Sequence, residues 1–213
     1  MNDKQLIASR IAKELGNGDI VNLGIGIPTM VIDFLPEDTT VFIHSENGIL
    51  GVGPAPALAD IDPNLVNAGK QPVSVLPGAV FFDSASSFAM IRGGHIDVSI
   101  LGALQIDEKG RIANWAVPGK SVLGVGGAMD LIEGSKKVIV ATTHCTKEGQ
   151  PKLLKKTQYP LTSFRKVDLI VTELAVFEVI DEGLLLIEAA PSVTLEELYE
   201  KTEAAFQIRG ELW

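Results

Sequence analysis

The sequence holds a single cysteine, Cys145, among its 213 residues. That cysteine has no partner for an internal disulfide, and one thiolate cannot build a zinc finger or an iron–sulfur cluster. A reducing cytoplasm is the expected setting. Histidine is also scarce, with three in the chain. His95 and His144 have no companion at metal-ligand spacing, so no metal is expected and both read as structural or exposed. No stretch reaches the ~18 uninterrupted apolar residues of a membrane span. The opening segment MNDKQLIASRIAKEL mixes polar and apolar residues and lacks the apolar run of a signal peptide. Positive charge is in deficit, with 18 Lys and Arg against 27 Asp and Glu and a net charge of −9. Such a chain repels phosphate backbones, so nucleic acid is excluded as the main partner. Neither the 21 glycines nor the 11 prolines are periodic, which removes collagen and low-complexity readings.

What is present is an ordinary globular composition, 46% hydrophobic and 21% charged. No linker and no internal repeat divides it, so residues 1–213 read as one domain. Leu6, Ile7, Ile11 and Leu15 recur at helical spacing behind Asn2 or Asp3 as a cap, with Gly16 and Gly18 ending the helix. Strands are expected over 20–25, 40–45, 72–76, 97–105, 137–143 and 168–174. A short helix follows Pro28, and 47–63 reads as a Gly, Pro and Asp loop. A helix covers 86–92, stopped by Gly93 and Gly94. DEKG, 107–110, is a turn, and Ala128 opens another short helix. Residues 178–188 form a hairpin turned at Asp181–Gly183. Residues 194–206 make a helix, with Thr194 and Glu197 in the capping-box pattern. Apolar β-branched strands alternating with helices predict an α/β fold: a largely parallel central sheet flanked by helices. The charge is uneven. Residues 136–166 carry eight Lys or Arg against one acid, and 167–213 carry two against eleven. This is a solvated face or a surface turned to an anion or a neighbouring chain.

Several motifs fail on inspection. Gly24-Ile25-Gly26-Ile27-Pro28 begins like a dinucleotide fingerprint but lacks the third glycine. Gly119-Lys120-Ser121 ends like a phosphate loop, yet Asn114 stands where the first glycine belongs. His44-Ser45-Glu46 mimics the H-x-E of zinc deaminases, which also need a PCxxC segment. Cys145 beside His144 is not a catalytic pair, because adjacent strand residues point apart, and a buried free thiol is expected.

FIHSENGILGVGP, 42–54, stands apart. A strand ends in Ser45-Glu46-Asn47-Gly48 and runs into a Gly/Pro loop. In an open parallel sheet, ligands bind beyond the carboxyl ends of strands, where Glu46 falls. On spacing alone, Glu46 serves equally as a catalytic carboxylate or as a cap accepting backbone N–H bonds.

VNLGIGIPT (21–29), the SENG-centred stretch (43–51), LVNAGKQPVSVLPGA (65–79), DSASSFAMIRGGHIDVSILGALQ (83–105), ANWAVPGK (113–120) and GVGGAMDL (124–131) follow one another along nearly the whole chain. In these segments and in their order, the sequence resembles the β subunit of the family I CoA-transferases. That group contains the acetoacetate and succinyl-CoA:3-oxoacid enzymes. Ile43 is a conservative departure. The resemblance implies a CoA-transferase (NagB/RpiA-like) fold and transfer of CoA between an acyl-CoA and a short-chain (3-oxo)carboxylic acid.

It further implies that Glu46 is the nucleophile. A free glutamate titrates near ~4.3, so it is ionised at neutral pH and needs no general base. Attack on the acyl-CoA thioester gives a mixed anhydride and CoA thiolate. The thiolate returns to the glutamyl carbonyl and leaves an enzyme–CoA thioester, which a second acid then resolves in reverse. CoA is a substrate, and no cofactor is required. The resemblance assigns an oxyanion donor to the backbone amide of Gly127, beside Gly126, in a turn that as bare sequence is also a plain tight turn. One donor of this kind is worth roughly 2.7–4 kcal/mol. A second donor, a glutamine side chain, belongs in the family to the α subunit, so an α partner is implied. Asn22 and Lys70 match positions near bound CoA. As bare residues they are a strand-end polar group and a surface lysine. Gly24, Gly26, Asn47, Gly48, Gly51 and Gly53 are expected to border the coenzyme. An acyl-CoA hydrolase and a metabolite-sensing domain on a related sheet are the alternatives.

Overall fold

Alternate residues along the central strands enter opposite hydrophobic cores, which is why those strands read as unbroken apolar runs. The computed structural model describes residues 1–120, 122 and 124–210. In chain order the elements begin with α1 (Asp3–Ala12), β1 (Ile20–Leu23), a 3-10 helix (Ile27–Phe34), β2 (Phe42–Ser45) and β3 (Ile49–Val52). After a short 3-10 turn (Leu58–Asp60) come β4 (Val75–Phe81), α2 (Ser84–Arg92), β5 (Val98–Leu101), β6 (Gln105–Asp107) and β7 (Ile112–Ala113). Then follow α3 (Ala128–Gly134), β8 (Lys137–Ala141), β9 (Leu153–Leu154), β10 (Leu169–Val171), β11 (Ala175–Ile180), β12 (Gly183–Ala189), α4 (Leu195–Lys201) and β13 (Phe206–Ile208).

Ten strands form one sheet in the order β13-β12-β11-β10-β8-β5-β1-β2-β3-β4. Its centre, β10-β8-β5-β1-β2, is parallel throughout. In β8, Val138 and Val140 face one core while Ile139 and Ala141 face the other. Ile170 of β10 likewise faces the first, and Leu169 and Val171 the second. This is the period-2 geometry of a strand buried on both sides. Ile7, Ile11 and Val31, from α1 and the 3-10 helix, close the second core. The first core takes Ile91 of α2, Leu131 and Ile132 of α3 and Leu198 of α4, with Ile106, Ile112 and Leu153 of a small sheet ordered β7-β6-β9.

The expected α/β architecture with a parallel centre is present, with local corrections. Antiparallel pairs flank the centre: β3 and β4 on one side, β11 and β12 on the other. The segment read as a loop, 47–63, contains β3, which folds back on β2 as a hairpin. The strand expected over 72–76 begins at Val75 and runs to Phe81. The expected strand 97–105 is two strands in two sheets, because the chain leaves the large sheet after Leu101. The helix after Pro28 is 3-10 rather than α. The last helix stops at Lys201, and Phe206 already lies in β13. Thr194 accepts from the Glu197 N–H, but the Glu197 carboxylate pairs with Lys201 instead of closing the box. A full capping box occurs at the first helix, between Asn2 and Gln5. Ser121, in the rejected phosphate-loop motif, and Leu123, in the glycine-rich stretch, lie outside the described residues, as do 211–213.

Candidate active site

β1, β2 and β5 are adjacent and parallel, so their carboxyl ends open at one edge of the sheet. A cleft of about 1050 Å³ lies at that edge. Leu23 and Gly24 reach it from β1, Glu46 from β2, and Gly102 and Ala103 from β5. Gly24 donates its N–H to Ile100 C=O at 2.8 Å, and a Cβ on it would meet that oxygen at 3.1 Å. The close packing of the two strands thus leaves little room for a side chain there.

Glu46 occupies the turn of the β2–β3 hairpin. Ser45 C=O accepts the Gly48 N–H at 2.9 Å, and Gly48 has φ 119°. A Cβ on Gly48 would sit 2.0 Å from Phe82 O, so glycine is required twice over. The loop at 66–72 is pinned across this turn. Asn47 Nδ2 donates to Val66 O at 2.7 Å, and Ser45 Oγ accepts from Ala68 N–H at 3.0 Å. Glu46 is left half-buried with its side chain in the cleft.

Two groups meet it there. Gly127 is the N-cap of α3, and a Cβ on it would lie 3.4 Å from Glu46 Cγ and 3.4 Å from Phe88 Cζ. Asn22 Nδ2 stands 3.4 Å from Glu46 Oε2, 3.2 Å from His44 O and 3.0 Å from His44 Nδ1. Asn22 and His44 are direct partners in the β1–β2 register. Asn22 is buried, and its Oδ1 has no partner among the described residues. The His44 ring stacks on Phe82, with centroids 5.9 Å apart. Burial pushes the His44 imidazolium down to about 4, so the ring is neutral at pH 7.

Of the residues expected at the site, Glu46, Gly127, Gly126, Asn22, Gly24 and Gly53 border this cleft. Gly26, Asn47, Gly48, Gly51 and Lys70 are not on its wall. Gly26 opens the 3-10 helix with φ 95°, and Asn47 and Gly48 build the hairpin turn. Gly51 also has a positive φ, 95°, and a Cβ on it would meet Ala79 Cβ of β4 at 3.0 Å. Lys70 is exposed at the loop tip with φ 61°, while its neighbours Asn67, Ala68, Gly69 and Gln71 line the cleft. His44, Ser87 and Phe88 were missed. A signal for His44 was present in the His44-Ser45-Glu46 spacing, since residues two apart along an extended chain point the same way; Ser87 and Phe88, on α2, had none. Cys145 is half-buried rather than buried. His144 is fully buried between Thr172 Oγ1 at 3.0 Å and Thr202 Oγ1 at 2.9 Å, and His95 is exposed. The cleft wall carries two carboxylates, Glu46 and Asp33, and no lysine or arginine among the described residues. No helix among them is long and apolar enough to cross a membrane.

Fold and cleft together define an α/β domain that presents a carboxylate, Glu46, at the carboxyl edge of a parallel sheet. The family profile for coenzyme A transferase matches residues 4–201, and the chain belongs to that family as a β-type chain. It is 55% identical over 212 residues to the β chain of the acetate CoA-transferase of Escherichia coli (strain K12), covering 100% of this chain and 97% of that one. It is 46% identical over 205 residues to the corresponding chain of the probable succinyl-CoA:3-ketoacid coenzyme A transferase of Bacillus subtilis (strain 168), covering 96% and 95%. Among solved structures it is similar to an acyl-CoA transferase of Escherichia coli O157:H7 in a thioester complex with CoA. The TM-score is 0.75 at 25% identity, covering 100% of this chain and 43% of that longer one.

Proposed function

We propose that this chain carries the nucleophile of a two-chain enzyme that moves CoA from an acyl-CoA to a short-chain carboxylic or 3-oxocarboxylic acid through a glutamyl-CoA thioester on Glu46. The observation that carries the proposal is the placing of the Glu46 carboxylate in the cleft, against Gly127 and Asn22. An ionised carboxylate attacks the thioester carbonyl, and CoA leaves as thiolate. The thiolate attacks the glutamyl carbonyl of the mixed anhydride, and the first acid departs. The second acid attacks the enzyme thioester, and the same steps run backward. Overall a thioester is exchanged for a thioester, with the mixed anhydride as a higher-energy intermediate. The Gly127 amide, at the start of α3, is the proposed donor to the oxyanion that forms on the glutamyl carbon. Asn22 Nδ2 orients the carboxylate between attacks.

The partner is a homologous α-type chain. Three features support this reading: the names of the relatives as one chain of a larger enzyme, the 43% share of a longer acyl-CoA transferase chain, and a cleft wall without a cation. The partner is proposed to bring the second oxyanion donor and positive charge for the substrate acid. Acetate and 3-oxoacids are the acceptors that the relatives' names suggest.

Mass spectrometry tests this on the complex of the two chains. The complex is incubated with acetoacetyl-CoA or acetyl-CoA, reduced with borohydride and digested. A modification confined to the peptide carrying Glu46 is expected. An unmodified peptide from an intact, CoA-binding complex would overturn the covalent route.

A further inference from the structure

His44 is buried, hydrogen-bonded at both ring nitrogens and absent from the chemistry proposed above. Its Nδ1 lies 3.0 Å from Asn22 Nδ2, and its Nε2 lies 3.1 Å from Ser87 Oγ. A side-chain amide nitrogen only donates, so Nδ1 must accept. The proton therefore sits on Nε2, and Ser87 Oγ accepts its hydrogen bond. Three acceptors surround Asn22 Nδ2: His44 Nδ1, His44 O and Glu46 Oε2. Turning the amide over would set Oδ1 against all three. The observed orientation instead leaves Oδ1 buried without a partner among the described residues. An unmet buried acceptor costs about 1–3 kcal/mol, so the ring and backbone of His44 must hold the amide strongly enough to offset it.

We infer that His44 is a positioning residue: through a buried Ser87–His44–Asn22 relay it keeps the amide nitrogen of Asn22, rather than its oxygen, facing the Glu46 carboxylate. The inference rests on Glu46 being the nucleophile. Were the ring to present an N–H at Nδ1, Asn22 would have to answer with its oxygen. An oxygen facing Glu46 would repel the carboxylate at the point where it must be aimed. A misplacement of that order near reacting atoms costs roughly 100-fold in rate.

The test compares His44→Leu and His44→Gln in the complex with the α-type partner. It reads the rate of glutamyl-CoA thioester formation, the KM for acyl-CoA and the melting temperature. Leucine offers Asn22 no acceptor, whereas glutamine can accept through its amide oxygen. His44→Leu is expected to slow thioester formation roughly 10- to 100-fold, with KM moved less than about two-fold. His44→Gln is expected to recover most of the rate, whatever its melting temperature. Thioester formation at the wild-type rate in His44→Leu overturns the relay. So does a loss in both variants that simply follows their melting temperatures. If His44→Leu does not assemble, Ser87→Ala decides. It removes the acceptor that keeps the proton on Nε2, and an unchanged thioester rate there overturns the relay equally. Absence of the thioester in the wild-type complex is a different result, which removes Glu46 as nucleophile and this inference with it.

Discussion

Gly127 and Glu46 meet so closely that a methyl group on the glycine would touch Glu46 Cγ at 3.4 Å. Gly127 has φ −83°, a value any residue adopts, so the backbone does not demand glycine there. The space does. Gly127→Ala is expected to fold with a melting temperature within about 2 °C of wild type. Its transferase rate is expected to fall roughly 10-fold or more, because the methyl intrudes where the acylated carboxylate must fit. Thermal unfolding and steady-state kinetics on the same preparation check both halves.

Glu46→Gln keeps the size and removes the nucleophile. Transfer is expected to fall roughly 1000-fold or more, while binding of the partner chain and of acyl-CoA persists. Acyl-CoA consumption and co-purification of the two chains are the measurements. A variant that retains transfer would move the nucleophile elsewhere.

The hairpin turn behind Glu46 predicts the opposite pattern. Gly48→Ala must fit a Cβ 2.0 Å from Phe82 O at φ 119°. A loss of about 3 kcal/mol is expected, or roughly 10 °C in melting temperature for a chain of this size. Activity then falls with stability, as denaturant titration monitored beside kinetics will show.

Lys70 is the non-glycine residue with positive φ among the described residues, at 61°. Lys70→Gly relieves about 1 kcal/mol of backbone strain, so stability is expected to hold or rise. If the exposed ammonium meets the coenzyme, KM for acyl-CoA rises several-fold with kcat unchanged. An unmoved KM removes Lys70 from the coenzyme's path.

Two buried histidines make the fold acid-sensitive. Burial is the main cause that pushes His44 and His144 down to about 4 each. In the unfolded chain both titrate near ~6.5. Between those values the unfolded state binds more protons, so stability is full above about pH 6.5 and is lost as pH falls toward 4. Each histidine contributes about 3 kcal/mol to that loss. Unfolding free energies measured from pH 7.5 to 4.5 are expected to decline. His144→Gln is expected to flatten the slope while leaving the cleft intact, because His144 lies between Thr172 and Thr202, away from Glu46.

The parallel centre of the sheet was legible because its strands are buried on both faces. Val98-Ser99-Ile100-Leu101 and Leu169-Ile170-Val171 are β-branched or apolar at every position but one, the pattern of a strand covered on both faces. β3 was not legible. Ile49–Val52 contains Gly51, lies beside Gly48 and precedes Gly53 and Pro54, so its local composition is that of a loop. It is a strand because the turn at Gly48 folds it onto β2 and because β4 offers a second ladder.

Local chemistry along the chain set the strand pattern, the helix starts, the deficit of positive charge and the SENG segment that singles out Glu46. Those properties depend on neighbours within a few residues, and neighbours are what a sequence displays. The pairing of Asn22 with His44, the approach of Gly127 to Glu46 and the exclusion of Gly51 and Lys70 from the cleft depend on contacts across long stretches of chain. Only the register of β1 on β2, and the packing of α3 and the 66–72 loop over the sheet's carboxyl edge, bring those groups together or keep them apart.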